Sequence, residues 1–448
     1  MLGTSEALDA ITARFAAIER LTAANGSSWF EPRRRQAMER FVALGWPTPR
    51  QEAWRYFDLT PLRRTAFHYV RDMERSRIGH EALAPFQVHC LPGAQLVFVD
   101  GYFEPALSTA RNVPAGVVAG DLASALGARR PLLEAHLAQH AAFESQPFVA
   151  LNTALLHDGA CVVLPRGVAM RDPIHLLWLS TASQGPIVSH PRTILILEPQ
   201  AELTLVEDYV SLGTESHFTN PVTEIVLGDG AVLDYYKLQR ESRSAYHVGA
   251  IEVHQSRDSS FHSTSIAFGG SRTRNDLRCL LDGEGASCRL HGLNVIADAQ
   301  LVDDHTSIVH ARPHCTSHEI YKTILDGAAQ GVFNGAVFVA KDAQKTNSRQ
   351  ENRNLVLSKE ALMNTKPELQ IHADDVKCSH GATVGELEAD ALFYLRARGI
   401  DTKTARRILT YAFANDVLER IRLEPLRKTV ESDLFHFIPV GQEADAPC

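Results

Sequence analysis

Cysteine is scarce in this 448-residue chain: seven residues, at positions 90, 161, 279, 288, 315, 378 and 448. An odd, scattered set makes no disulfide framework, and no two form the C-x-x-C pair of a closed zinc site. Such usage fits a reducing compartment, and the cytoplasm is the expected location. Long apolar runs are missing as well. None approaches the roughly 18 residues that a membrane-spanning helix needs, so no membrane role is expected. The opening MLGTSEALDAITARFAAIERL carries acidic residues from Glu6 onward and lacks an apolar core, so it reads neither as a secretion signal nor as a transit peptide. Nor is there an excess of positive charge. The formal net charge of −8 leaves no electrostatic reason to expect nucleic acid or an anionic membrane as partner. The patterns G-x-x-x-x-G-K-[ST], H-E-x-x-H and G-x-S-x-G do not occur. No nucleotide is therefore expected on this chain, and any nucleotide hydrolysis must come from another one.

What is present changes texture twice along the chain. Leu8, Ile11, Phe15, Ile18 and Leu21 recur at helical spacing, and a second helical pattern runs from Pro32 to Leu44 and stops at Gly45. Residues 1–90 are read as an N-terminal helical domain. From about Gln95, AQLVFVDGYF predicts two short strands around Asp100-Gly101. A helical excursion near 120–147 follows, and strands then dominate to residue 385.

Within that stretch one phrase returns: a polar turn, a small residue, then alternating apolar positions. It occurs as HDGACVVLP at 157, EPQAELTLVE at 198, LGDGAVLDYYKL at 227, LDGEGASCRLHG at 281 and TKPELQIHAD at 365. Aligning Ala160, Ala201, Ala231 and Ala286 gives intervals of 41, 30 and 55, a loose period. Turn-plus-strand units repeated without helices predict a mainly β fold, a β-solenoid over 91–385. A β-sandwich produces similar alternation, but the strand region is long and lacks two-residue hairpin turns. Helix returns over 386–448. Ala405, Ile408, Leu409, Ala412, Phe413, Val417, Leu418 and Ile421 fit helical spacing, with Asp401-Thr402 at the N-cap and Gly399 ending the helix before. These helices are expected to cap the open end of the solenoid and to offer a surface to a partner.

Two clusters carry possible chemistry. DDHTSIVHARPHCTSHEIYK, from Asp303, holds His305, His310, His314, Cys315 and His318. On a strand, His310 shares a face with Asp304 and Thr306 and points away from His305, so convergence on one ion is not expected. Hydrogen-bonded histidines and a small buried cysteine are the simpler reading. DDVKCSHGATVG, from Asp374, holds Cys378 and His380 two apart, with Cβ atoms roughly 6.5–7 Å apart on one face of a strand. One metal could accept both, and a thiolate favours zinc, copper(I) or iron–sulfur chemistry. Leu369 and Ile371 place odd positions toward the core. That register, uninterrupted, sends Glu368, Gln370, His372, Cys378 and His380 outward, unless the Asp374-Asp375 corner resets it. A structural role for the pair stays open beside the ligand role.

ADDVKCSHGATVGELEADALFYLRARGI, from Ala373, resembles the C-terminal signature of SufD, in the SufB/SufD family of iron–sulfur cluster assembly scaffolds. PTPRQEAWRYFDL at 47, FVALNTALLHDGACVVLPRG at 148 and HARPHCTSHEIYKTILDGAAQGVFNGAVFVAKDAQKTNSRQENRNLVLS from His310 carry the likeness across most of the chain. The resemblance implies a right-handed parallel β-helix flanked by N-terminal and C-terminal α-helical domains, and a scaffold rather than an enzyme. It implies pairing with SufB through C-terminal β-helix edges, and a transient iron–sulfur cluster or iron shared at that junction. It places the ATPase SufC on the C-terminal helices. Carried over to this sequence, Lys377, Cys378 and His380 match interface positions, with His380 the first candidate for a cluster or iron ligand and Cys378 the second. Leu395, Arg398, Ile408, Tyr411 and Phe413 are the expected ATPase contacts. A homodimer in isolation, a SufB-like homodimeric scaffold and a stand-alone Cys/His metalloenzyme are the alternatives.

Overall fold

A computed structural model describes residues 11–20, 29–70, 78–88, 91–183 and 185–438. Leu8, Leu21, Cys90 and Cys448 lie outside the described residues. The chain winds into a solenoid of two parallel sheets, each successive coil adding one strand to each sheet. Residues 11–20, Glu31–Leu44 and Thr60–Arg64 are helical before it, and Ala389–Ala397, Thr402–Leu418 and Glu424–Phe437 after it. The mainly β solenoid flanked by helices is thus as the sequence predicts.

The repeat is tighter than the aligned alanines suggest. Gln200, Gly230, Asp258, Gly285, His314 and Lys345 all have positive φ. Each precedes a buried small residue: Ala201, Ala231, Ser259, Ala286, Cys315 and Thr346. The amide after each small residue donates to the carbonyl of its counterpart one coil earlier, as Ser287 does to Ser259 and Asn347 to Cys315. These positions recur every 27 to 31 residues. Backbone geometry fixes the turn, and Gly, Asp, Gln, His and Lys all fill it, which blurs the period in the sequence. Ala160 belongs to the other sheet, on the strand Gly159–Leu164, so the interval of 41 compared unlike positions. His314 and Cys315 are the turn residue and small residue of one coil, and the Cys315 thiol donates to the Gly283 carbonyl at 3.2 Å.

AQLVFVDGYF forms the strands Ala94–Val99 and Tyr102–Phe103, paired antiparallel about Asp100 and Gly101. The helical excursion is Leu122–His136, with Asp121 as its N-cap. A second helix, Pro147–Leu155, was not foreseen. It is buried on every side, so it shows no amphipathic stripe. Beside it Arg192 pairs with Glu224 at 2.5 Å, both fully buried. Glu224 also accepts from the amides of Ala138, His140 and Ala141, so it ties the 138–141 segment to the solenoid. Burial opposes its ionisation, but Arg192 and those amides win and hold its carboxyl below the usual range.

The C-terminal helices correct the sequence reading. Val417, Leu418, Leu426, Val430 and Leu434 pack on the outer face of one sheet, against Leu238, Ile266, Leu293 and Ile324. The helices Thr402–Leu418 and Glu424–Phe437 lie along the solenoid wall rather than across its end. The last strand of each sheet, Leu362–Ile371 and Lys377–Gly385, has a neighbour on one side only.

Candidate functional site at the open end

Strand Lys377–Gly385 pairs with Asn347–Val356 and fixes the register of the last coil. Cys378 lies over Ser348, which lies over Ser317 and Cys288. His380 lies over Gln350, which lies over Glu319 and Leu290. Ser348, Ser317, Cys288, Gln350, Glu319 and Leu290 are all buried inside the solenoid. Cys378 and His380 therefore occupy inward-facing columns, which corrects the outward register extrapolated from Leu369 and Ile371. Those two do face inward in their own strand, and the corner at 372–376 resets the parity. Solvent reaches the last coil because no described strand is stacked on it. His380 and Lys377 are exposed, and Cys378 is half-buried against the core.

The solenoid interior changes character as it nears this end. Leu203, Leu205, Leu233 and Tyr235 fill one sheet's inner face in the early coils. Ser348, Gln350, Asn352 and Asn354 fill it in the penultimate coil, all buried. His310 shares its face with Asp304 and Thr306, as period two requires, and its Nε2 meets Ser317 Oγ at 2.9 Å. Ser317 in turn donates to Ser348 Oγ at 2.8 Å. Gln350 donates to Glu319 Oε2 at 2.7 Å. Burial pushes the Glu319 carboxyl up to about 7 and the His310 imidazole down to about 4. Sequence reasoning missed this polar interior. In NSRQENRNLV every residue from Asn347 to Asn354 is polar, so the alternation that marks an inner face is invisible there.

The histidine cluster is spread over the fold. His305 meets Asp303 Oδ1 at 2.8 Å and Arg274 at 3.1 Å on the outer face of one sheet. His318 lies on the outer face of the other sheet, and His310 lies inside. Among the described residues no three His, Cys, Asp or Glu side chains gather into a metal site. Cys378 and His380 supply two donors at a surface, so an ion held there takes its remaining ligands from beyond the described chain. Burial raises the Cys378 thiol above its ordinary value, against the Ser348 backbone contact that lowers it, so metal binding would release a proton.

Around the rim, apolar side chains are unusually bare. Ile371 is 40% exposed and Val384 50%. On the C-terminal helices Phe393 is 74% exposed, with Tyr394, Ile408 and Phe435 also bare. Arg398 sits 4.4 Å over the Tyr394 ring, Tyr411 stacks on Phe435 at 5.0 Å, and Leu395 is half-buried. Like Tyr411, Phe413 is half-buried and packs against the solenoid wall. Lys322 lies 4.7 Å from its ring and donates to its carbonyl at 2.9 Å, so it is committed to the solenoid wall.

A model of the SUF system FeS cluster assembly SufBD core domain matches residues 179–413, and one of the SufBD protein N-terminal region matches 8–176. The chain belongs to the SufBD family of iron–sulfur cluster assembly proteins. It is 34% identical over 403 residues to a SufBD family protein of Synechocystis, covering 88% of each chain. With the iron–sulfur cluster assembly protein SufD of Escherichia coli it shares 32% over 412 residues, 92% of this chain and 93% of the relative. A chloroplastic protein of Arabidopsis thaliana, ABCI7, is 30% identical over 402 residues, 88% of this chain and 83% of the relative. Within the SufBD family the likeness is to SufD, as the DDVKCSHGATVG signature implies. Among the described residues no helix is long and apolar enough to cross a membrane.

Proposed function

We propose that this SufBD protein is a non-catalytic scaffold whose open solenoid end pairs with a paralogous SufB-type β-helix. One observation carries the reading: among the described residues both sheets stop at the same end, each last strand with a neighbour on one side only, and the inner columns finish there in Cys378 and His380. Exposed strand edges template further pairing, and native proteins blunt them when no partner is intended. Iron or a nascent cluster, the cargo of the system, is held across this junction, with His380 as first ligand, Cys378 as second, and Lys377 beside them on the rim. The soft thiolate suits iron–sulfur chemistry, and two donors alone leave the remaining ligands to a second chain. The bare aromatic face of the C-terminal helices, with Leu395, Arg398, Ile408 and Tyr411, receives the SufC-type ATPase in the cytoplasm. An ATPase in another subunit accounts for the missing phosphate-binding loop.

The test is anaerobic co-expression of the tagged chain with its paralogue and the ATPase, with iron counted in the purified complex. Wild type should recover both partners and iron. His380→Ala, at an exposed position, should keep both partners and lose most of the iron. A variant that retains wild-type iron removes His380 from the site. A lone, stably metallated chain would favour the metalloenzyme reading instead.

A further inference from the structure

A basic hollow lies on the outer wall of the solenoid, away from Cys378 and His380. Its floor is a register column: Asp234, His262, Arg289, His318 and Arg349 stand directly opposite one another on successive strands. Neighbouring strands lie about 4.8 Å apart, so Arg289 and Arg349 stand roughly 10 Å apart with His318 between them. The turn after helix Thr402–Leu418 brings Arg420 and Arg422 over the column, and together they enclose about 680 Å³.

Charge around this hollow is not balanced. The exposed Arg289 side chain makes no ion pair or hydrogen bond among the described residues. Arg349 must share Glu351 with Arg353. Arg420 and Lys322 share Asp416, at 3.0 and 2.9 Å. Arg422 and His262 share Asp234, at 3.4 and 2.8 Å. Glu419, at the rim, accepts from Asn415. No carboxylate of the column lies between Arg289 and Arg349, and the residue that faces both is His318.

A second observation is independent of charge. His291, on the same strand as Arg289, also lines the hollow and is only 7% exposed, yet its Nε2 has no hydrogen-bond partner. His318 Nε2 is buried and unpartnered too. Burial, then Arg420 and neighbouring histidines, holds His291 at about 3, so it is neutral near pH 7 and free to donate one N–H. Orphaned buried polar atoms are rare and call for an explanation, which a missing ligand supplies.

We propose that this hollow binds a small organic diphosphate, its phosphates bridging Arg289 and Arg349 beneath Arg420 and its remainder filling the space beside His291. Guanidinium forks match phosphate oxygens bidentately. The volume exceeds what a lone phosphate needs and falls within the roughly 300–1,000 Å³ of small-molecule sites. The site uses side chains on a sheet and a helix turn, so it leaves no glycine-rich motif in the sequence.

Calorimetric titration of the full chain with ADP and with inorganic pyrophosphate, at low salt, tests this. Saturable binding of ADP that Arg289→Ala/Arg349→Ala weakens at least tenfold would support the proposal. Both arginines are exposed strand residues, so circular dichroism and the unfolding midpoint should be unchanged. ADP binding tighter than pyrophosphate shows that the organic part is recognised. Pyrophosphate binding as tightly as ADP overturns the organic assignment. No saturable binding of either by wild type, or binding indifferent to the double substitution, overturns the site.

Discussion

Glu319 is a carboxyl sealed inside the solenoid, two strands below His380, with Gln350 donating to one oxygen and the Thr306 hydroxyl close by. Burial dominates and raises it from 4.5 to about 7. The sign follows from linkage. A raised acid binds its proton more tightly folded than unfolded, so its contribution is full below the unfolded value near 4.5. It is lost as pH rises toward 7 and stays flat above. A shift of that size corresponds to on the order of 3 kcal/mol. Glu319→Gln keeps the shape and removes the ionisation. In urea titrations its unfolding free energy should fall less than wild type between pH 5 and 8, and at pH 8 the variant should be the more stable protein. Equal pH slopes in the two proteins would show that Glu319 titrates normally. His380 stands in the same inward column as Glu319 and Cys378 in another, but Cys378 and His380 both lie on the last described coil. Their spacing was legible in the sequence, but their facing was not, because one corner of five residues decides it and no period crosses that corner.

Among the elements, one ion pair links the buried helix Pro147–Leu155 and the segment before it to the solenoid. Glu224 holds three backbone amides and Arg192 at once. Removing it strands a guanidinium that is fully buried, with Asn152 and Thr153 as its remaining side-chain partners. Glu224→Ala should therefore cost about 3–5 kcal/mol, the range for breaking a buried pair from one side. Pairing it with Arg192→Met should recover part of that loss, and additive losses in the double-mutant cycle would contradict the coupling. Elements with two distinct faces were readable in advance. Helix Glu31–Leu44 ends at Gly45, at φ +64, and Thr402–Leu418 begins at an Asp401 cap that accepts from the Thr404 amide at 2.9 Å. Pro147–Leu155, buried almost all round, and the strand Asn347–Val356, polar as far as Asn354, carried no such contrast. Tertiary position alone makes one a buried helix and the other half interior.

At the scale of the whole molecule, the same wall carries both the solenoid and its C-terminal helices, which decides how the two proposed surfaces can be separated. Deleting everything after Gly385 would bare Leu238, Ile266, Leu293 and Ile324 along the wall, so loss of a partner after truncation would report collapse as readily as docking. Point changes at bare positions avoid this. Ile371 and Val384 lie on the two edge strands and Phe393 on the helix Ala389–Ala397, and none of the three is buried. Ile371→Lys/Val384→Lys puts charges on the open end, a device that keeps natural edges apart. This variant should lose the paralogous β-helix and keep the ATPase. Phe393→Asp should do the opposite, since a bare aromatic is the kind of side chain that anchors an interface and its removal typically costs 2 kcal/mol or more, about thirtyfold in affinity. Analytical ultracentrifugation of each variant with each partner reads both outcomes at once. If either substitution releases both partners, the two surfaces are one, and the assignment of separate roles to the strand end and the helices is wrong.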